Sequence, residues 1–311
     1  MNPHPYHTRG ILYACITALM WGVLAISLKV MLRDMSPASV VFARFSIAFV
    51  LLFIYQAWRN PSSLAIFRKP PILLPLAAIF LSYNYFAFVE GLKYLSPSTS
   101  QVFIQVGPVF FAIGGFVLYK EEATRRHLVG FLMLIAGFSL YYYEQVHGKP
   151  SGNTSFGKGM AFILTGGLSW AGFALIQKKL LDTHRANDLN LFIYGFCAVL
   201  FLPFFDFHST AHLDAAAWGN LVFLGLNTLI AYNCFALAMH YTDANKISVI
   251  VTLNPIITFI LMFILGLLQV RWIEKETFTL LNVSGAVIAL AGVLLVVTMR
   301  RKVPETTDFP G

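Results

Sequence analysis

Charged side chains make up only 12% of this 311-residue chain, about half of the roughly 25% found in soluble domains. That is too little charge to wet the surface of a soluble fold of this size. Acids are the scarcer sign, with 14 Asp and Glu against 22 Lys and Arg. All the acids, and all eight histidines, lie between apolar runs, in the tails or near run ends. No acid therefore stands where proton- or sodium-coupled carriers usually keep one, near the middle of a span. Cysteine is limited to Cys15, Cys197 and Cys234, far apart and each within an apolar run. This excludes a disulfide scaffold and any metal-ligand spacing. The net charge of +8 is dispersed in short basic groups between apolar runs, a pattern of membrane topology rather than of nucleic-acid binding. No cleavable signal peptide is evident, and the first run is long enough to serve as its own insertion signal.

What the chain does have is apolar length. Apolar residues are 58% and aromatics 15%, with mean hydropathy +0.70. A membrane-spanning helix needs about 20 apolar residues, and ten such segments are present, near 10–31, 37–57, 71–91, 97–119, 127–143, 158–180, 188–207, 215–239, 246–268 and 280–299. Backbone in lipid must satisfy its own polar groups, so each reads as a helix. Pro37, Pro71 and Pro97 fall at or near helix starts, where a missing N–H costs nothing.

The two halves of the chain repeat. Gly10, Trp21 and Lys29 precede Gly159, Trp170 and Lys178 by a constant interval, and the Tyr94-to-Pro108 spacing recurs in Tyr241 and Pro255. Gly130 and Gly137 recur as Gly285 and Gly292 at a longer interval, so the second copy carries extra residues before its last span. Five spans is an odd number, so the second copy enters the membrane inverted, as in secondary transporters. The expected architecture is an all-α integral membrane protein of ten transmembrane helices in two inverted five-helix repeats. Residues 10–144 form the first repeat, 145–157 an external linker, 158–299 the second repeat and 300–311 a cytoplasmic tail. Basic residues favour one side of the bilayer by roughly two to one, which places both termini in the cytoplasm of a cell (inner) membrane.

Several local motifs resemble the drug/metabolite transporter superfamily, and within it the EamA-type family. They are Trp21–Gly22, Ala43-Arg44-Phe45, Gly91-Leu92-Lys93-Tyr94-Leu95-Ser96-Pro97, Pro108, Glu121, Gly130, Ala136–Gly137, Gly285 and Ala291–Gly292. The likeness runs from Gly10 to Met299, and the order and spacing of the motifs carry it. One departure is that Gln269 to Glu276 stand where the family's second acidic turn belongs, so no symmetric role for Glu121 is implied. The resemblance implies movement of small metabolites, often outward; members carry amino acids, nucleotide-linked sugars or cationic drugs.

The residues themselves suggest a central path. Trp21 and Trp170 lie mid-span rather than in the interfacial belts where Trp concentrates, as facing rings of a cavity or as packing between helices. Gln101, Gln105 and Pro108 share one face of span 4. Asn84 and Tyr85 in span 3, Asn227 and Tyr232 in span 8, and Asn254 in span 9 add polar groups at similar depth, whether as a lumen or as interhelical hydrogen bonds. Pro108 and Pro255 interrupt corresponding helices, a sequence pointer to a transport pathway. Arg44 lies within span 2, where a charge must be paired or wetted. Glu90, with Lys29 nearby, is its expected partner as a structural pair; the other reading is an anchor for a substrate carboxylate or part of an outer gate. Its repeat equivalent is Ile193.

The expected function is alternating-access transport of small metabolites, most specifically export of amino acids or similar amphipathic solutes. No catalytic residue, metal or cofactor is expected, and the partners are a small-molecule substrate and membrane lipid, not nucleic acid. A monomer is expected, with a dimer as the alternative. Uptake or exchange of an organic cation, a nucleotide-type or a sugar-linked solute is the alternative function. An intramembrane enzyme is the rival of another class, since Glu121-Glu122-x-x-x-Arg126, His184-x3-Asp188 and Phe204-x3-His208 echo motifs of intramembrane CAAX-type proteases. The expected topology puts these groups about 30 Å apart across the bilayer.

Overall fold

The computed structural model describes residues 5–119, 125–147, 153–241 and 250–297. The described residues form helices α1 (Pro5–Met31), α2 (Pro37–Arg59), α3 (Leu74–Tyr94), α4 (Pro97–Phe103), α5 (Val106–Tyr119), α6 (Arg125–His147), α7 (Asn153–Leu180), α8 (Ala186–Phe201), α9 (Phe207–Ala211), α10 (Ala215–Tyr241), α11 (Asn254–Leu267) and α12 (Leu280–Val297). No strand occurs among them. Glu121, Lys246, the middle of the linker and the tail from 298 lie outside the described residues.

Local chemistry sets the ends. Ser36 and Ser96 accept hydrogen bonds from the backbone N–H groups of Ser39 and Thr99, and Pro37 and Pro97 follow each cap, which is how proline enters a first turn at no cost. Five helices, α1, α2, α7, α8 and α10, are long and apolar enough to cross a membrane, α8 with the turn that follows it. Large apolar side chains such as Ile54, Ile135, Val199 and Phe263 are exposed on the helix surfaces. In a bilayer those faces meet hydrocarbon, so the molecule is a multi-pass membrane protein.

The packing is that of two inverted copies. α1 lies along α10, and its counterpart α7 along α3. α2 packs on α8, and α6 on α12, each against its own repeat mate. The α6–α12 crossing shows the inversion directly. A Cβ on Gly130 would lie 2.8 Å from the Gly292 carbonyl oxygen, and one on Gly292 would lie 2.6 Å from that of Gly130. Gly137 and Gly285 face each other in the same reciprocal way, at 2.6 and 3.0 Å. The pairing is antiparallel and exchanges each glycine with its repeat equivalent, so a pseudo-two-fold axis passes through this crossing. Only glycine lets the two backbones approach so closely.

Three segments depart from the expected spans. Span 4 is not one helix: it breaks at Ile104–Gln105 into α4 and α5, and span 9 breaks at Thr252–Leu253 before α11. Span 7 ends early, because Pro203 turns the chain into a short 3₁₀ segment, Leu202–Phe204. Another 3₁₀ segment, Pro61–Phe67, follows α2 and is tied down by Gln56 and Asn60, which both donate to the Ser63 hydroxyl.

Candidate functional site

The broken helices position the site. Proline has no N–H to offer the carbonyl four residues back, and that residue is Ile104 for Pro108 and Val251 for Pro255. The Ile104 carbonyl instead accepts from the Gly107 N–H at 2.9 Å. Ile104 and Val251 both line a small central chamber of about 100 Å³. Between the breaks, the Gln105 amide donates to Asn254 Oδ1 at 2.7 Å, with both side chains buried. On the same chamber, Trp21 and Trp170 meet edge to face at 6.4 Å between ring centroids. These two rings are repeat equivalents, so the pseudo-two-fold axis runs between them.

Trp21, Arg44, Asn84, Tyr85, Gln101, Gln105, Pro108, Trp170, Tyr232 and Asn254 are brought together around this chamber. Several also bond between helices. Asn84 donates to the Gly166 carbonyl at 2.9 Å and Gln101 to the Trp21 carbonyl at 2.8 Å. Asn227 does not line the chamber: its amide donates to the Met20 carbonyl at 2.7 Å, which holds α10 on α1. Pro255 is buried behind Asn254 and shapes the break from outside the lining. The apolar lining residues Leu24 and Phe88 look like ordinary core in the linear chain, so nothing marked them as lining.

The expected Arg44–Glu90 pair is not formed. Arg44 is 2% exposed and donates through Nε to Thr228 Oγ1 at 3.2 Å, with its guanidinium 4.5 Å from the Tyr85 ring centroid. Glu90 instead pairs with Lys93 at 3.1 Å. The reason is depth: Glu90 lies five residues beyond Tyr85 on α3, about 7.5 Å further along the axis. Lys29 pairs with neither residue, and donates to the carbonyls of Leu92 and Leu95 at 2.6 and 3.0 Å. It thereby ties the end of α1 to the end of α3.

Pro108, Trp170 and Val251 line both this chamber and a vestibule of about 800 Å³, which also carries Arg59, Lys178, Asp182 and Arg185. Beside the Lys29 contacts, Glu276, in the loop before α12, accepts from the Ser98 N–H at 3.1 Å. Burial pushes the Glu276 carboxyl up, while its bonds to Ser98 and the charge of Lys29 pull it down. Glu276 follows Glu121 by the same interval that separates Gly130 from Gly285.

His184 precedes α8, Asp188 lies in its first turn and His208 lies beyond it. The two histidine motifs that echo CAAX-type proteases therefore lie at opposite ends of a helix. Among the described residues no group of three or more His, Cys, Asp or Glu side chains could hold a metal ion.

Paired broken helices with a site at the repeat interface are the pattern of a secondary carrier. The family comparison agrees. The EamA-like transporter family matches twice, over residues 8–143 and 157–298, and the chain belongs to that family. The chain is 32% identical over 288 residues to the "Uncharacterized inner membrane transporter YhbE" of Escherichia coli K12, covering 92% of this chain and 90% of that one. An "Uncharacterized transporter" of Haemophilus influenzae is 28% identical, with 92% and 94% covered. A "Probable amino-acid metabolite efflux pump" of Salmonella typhimurium is 23% identical, with 91% and 92% covered. A crystal structure shares the fold at TM-score 0.67 and 15% identity, covering 93% of this chain and 96% of that one.

Proposed function

We propose that this carrier exports small metabolites, amino acids or similar amphipathic solutes, by alternating access across the inner membrane, with both termini in the cytoplasm. The observation that supports it is the central chamber between the two helix breaks, which shares Pro108, Trp170 and Val251 with the large vestibule, while Lys29 ties α1 to α3 away from it. The basic rim of the vestibule belongs on the cytoplasmic side by the positive-inside rule, so the conformation is inward-open and ready to load from the cell interior. The Salmonella relative's name supports the amino-acid reading.

Counterflow in proteoliposomes tests it. Vesicles preloaded with an unlabelled amino acid should accumulate the labelled one without an imposed proton gradient. Strict dependence on ΔpH, abolished by Glu90→Gln, would overturn the uncoupled reading, and absence of counterflow for every member of a broad metabolite panel would overturn carriage itself. Orientation is read in a Cys15→Ser background with single cysteines at Asn60 and Trp272. An impermeant thiol reagent on intact cells should label position 272 and not 60.

A further inference from the structure

Resting on that carrier reading, we propose that the central chamber is an anion site, in which Arg44 holds the carboxylate of a flat, apolar-bodied monocarboxylic acid. The argument begins with what surrounds the guanidinium. Arg44 is buried, and no Asp or Glu among the described residues lies within ion-pair distance of it. A desolvated cation without a counter-charge is costly, so the site is completed by an occupant that brings the charge. Tyr85 covers a face of the guanidinium and Thr228 takes Nε. The terminal amino groups are the remaining donors, and they form the fork that a carboxylate binds in bidentate fashion.

The rest of the chamber sets the class of acid. One arginine compensates one negative charge, and among the described residues no Lys or second Arg lines the chamber, which selects a monoanion over a phosphate dianion. A volume of about 100 Å³ holds a head group rather than a whole solute. The body then extends past Trp21 and Trp170 toward the vestibule, where aromatic edges and faces suit a flat ring. Among the described residues no carboxylate lines the chamber to receive an ammonium group. Selection therefore rests on the acid, and the amino group of an amino acid is carried without being required.

Outward movement of a net negative charge is favoured by an inside-negative membrane potential, by roughly 50-fold in concentration ratio per 100 mV. Charge alone would drive export through a protein that has no mid-span acid for ion coupling.

The test uses the full chain in proteoliposomes with four probes that share one ring: phenylacetate, phenylalanine, phenylacetamide and phenethylamine. Binding is read by thermal shift, and flux by counterflow under a potassium diffusion potential. Phenylacetate should bind no more weakly than phenylalanine, and about 10- to 100-fold more tightly than the amide or the amine, as a charge-assisted pair implies. Its efflux should quicken as the interior is made negative. Arg44→Gln should erase the preference for the acid, and Arg44→Lys should keep part of it. If those variants do not fold, the wild-type preferences and the voltage dependence decide. Amide or amine binding equal to the acid, no binding of phenylacetate, or flux indifferent to voltage each overturns the anion site. Counterflow of another solute in the same vesicles would then leave the carrier standing.

Discussion

The Gln105–Asn254 bond joins the two helix breaks, and its removal can be worked through from its surroundings. Both amides are buried, and the bond is 2.7 Å long. Gln105→Leu leaves Asn254 Oδ1 without its donor, and Asn254→Leu leaves the Gln105 amide without its acceptor. Each stranded group costs about 1–3 kcal/mol. The double variant strands neither, so it should cost less than the sum of the two single changes. Interhelical hydrogen bonds within membranes couple by about 0.6 kcal/mol on average and up to about 1.7 kcal/mol. A short bond between two buried amides belongs near the upper part of that range. Equilibrium unfolding in mixed micelles, measured on the wild type, both single variants and the double, gives the coupling directly. Additivity to within about 0.3 kcal/mol, as for residues that do not touch, would refute the claim that this bond links the two repeats.

Replacing Trp21 or Trp170 by Ala removes a flat contact of about 1–3 kcal/mol, so substrate affinity should fall about 5- to 150-fold; unchanged affinity with a lowered melting temperature would mean that the rings only pack. Glu276 should give the folded protein a pH-dependent stability. Burial raises its carboxyl above the ordinary value of 4.5, so the folded protein holds this proton more tightly than the unfolded chain. The stability it contributes is full below that value and is lost as pH rises through the raised one. Melting temperatures of wild type and Glu276→Gln, scanned from about pH 4 to about pH 8, should diverge with rising pH as the wild type weakens; a constant offset refutes this.

Much of this arrangement could be read before any coordinates. Apolar runs of bilayer length located the spans, because lipid demands them. Pro108 and Pro255 located the breaks, because proline cannot serve the carbonyl behind it. What a linear reading supplies poorly is azimuth. Successive helix residues turn by about 100°, so Asn227 points to Met20 on α1 while its neighbour Thr228 meets Arg44 on α2. Depth along span 2 was legible, and the partner of Arg44 was not, since the choice between Glu90 and Thr228 depends on which faces meet. The 3₁₀ turn at Pro61–Phe67 was equally hidden, because side-chain bonds from Gln56 and Asn60 hold it rather than any periodicity.

The duplication has a further consequence. The helix breaks occur twice and the glycine crossing is symmetric about the axis, so the inward- and outward-open forms can be built from the same parts. Arg44 occurs once, and its counterpart Ile193 is apolar and buried. The two forms therefore need not be isoenergetic, and half-saturation can differ between the two membrane faces. Detailed balance still holds, since the ratio of affinities must be matched by the ratio of reorientation rates. Such a carrier can act as a kinetic rectifier that loads readily from one compartment, while the electrochemical gradient of its solute alone fixes the direction of net flow.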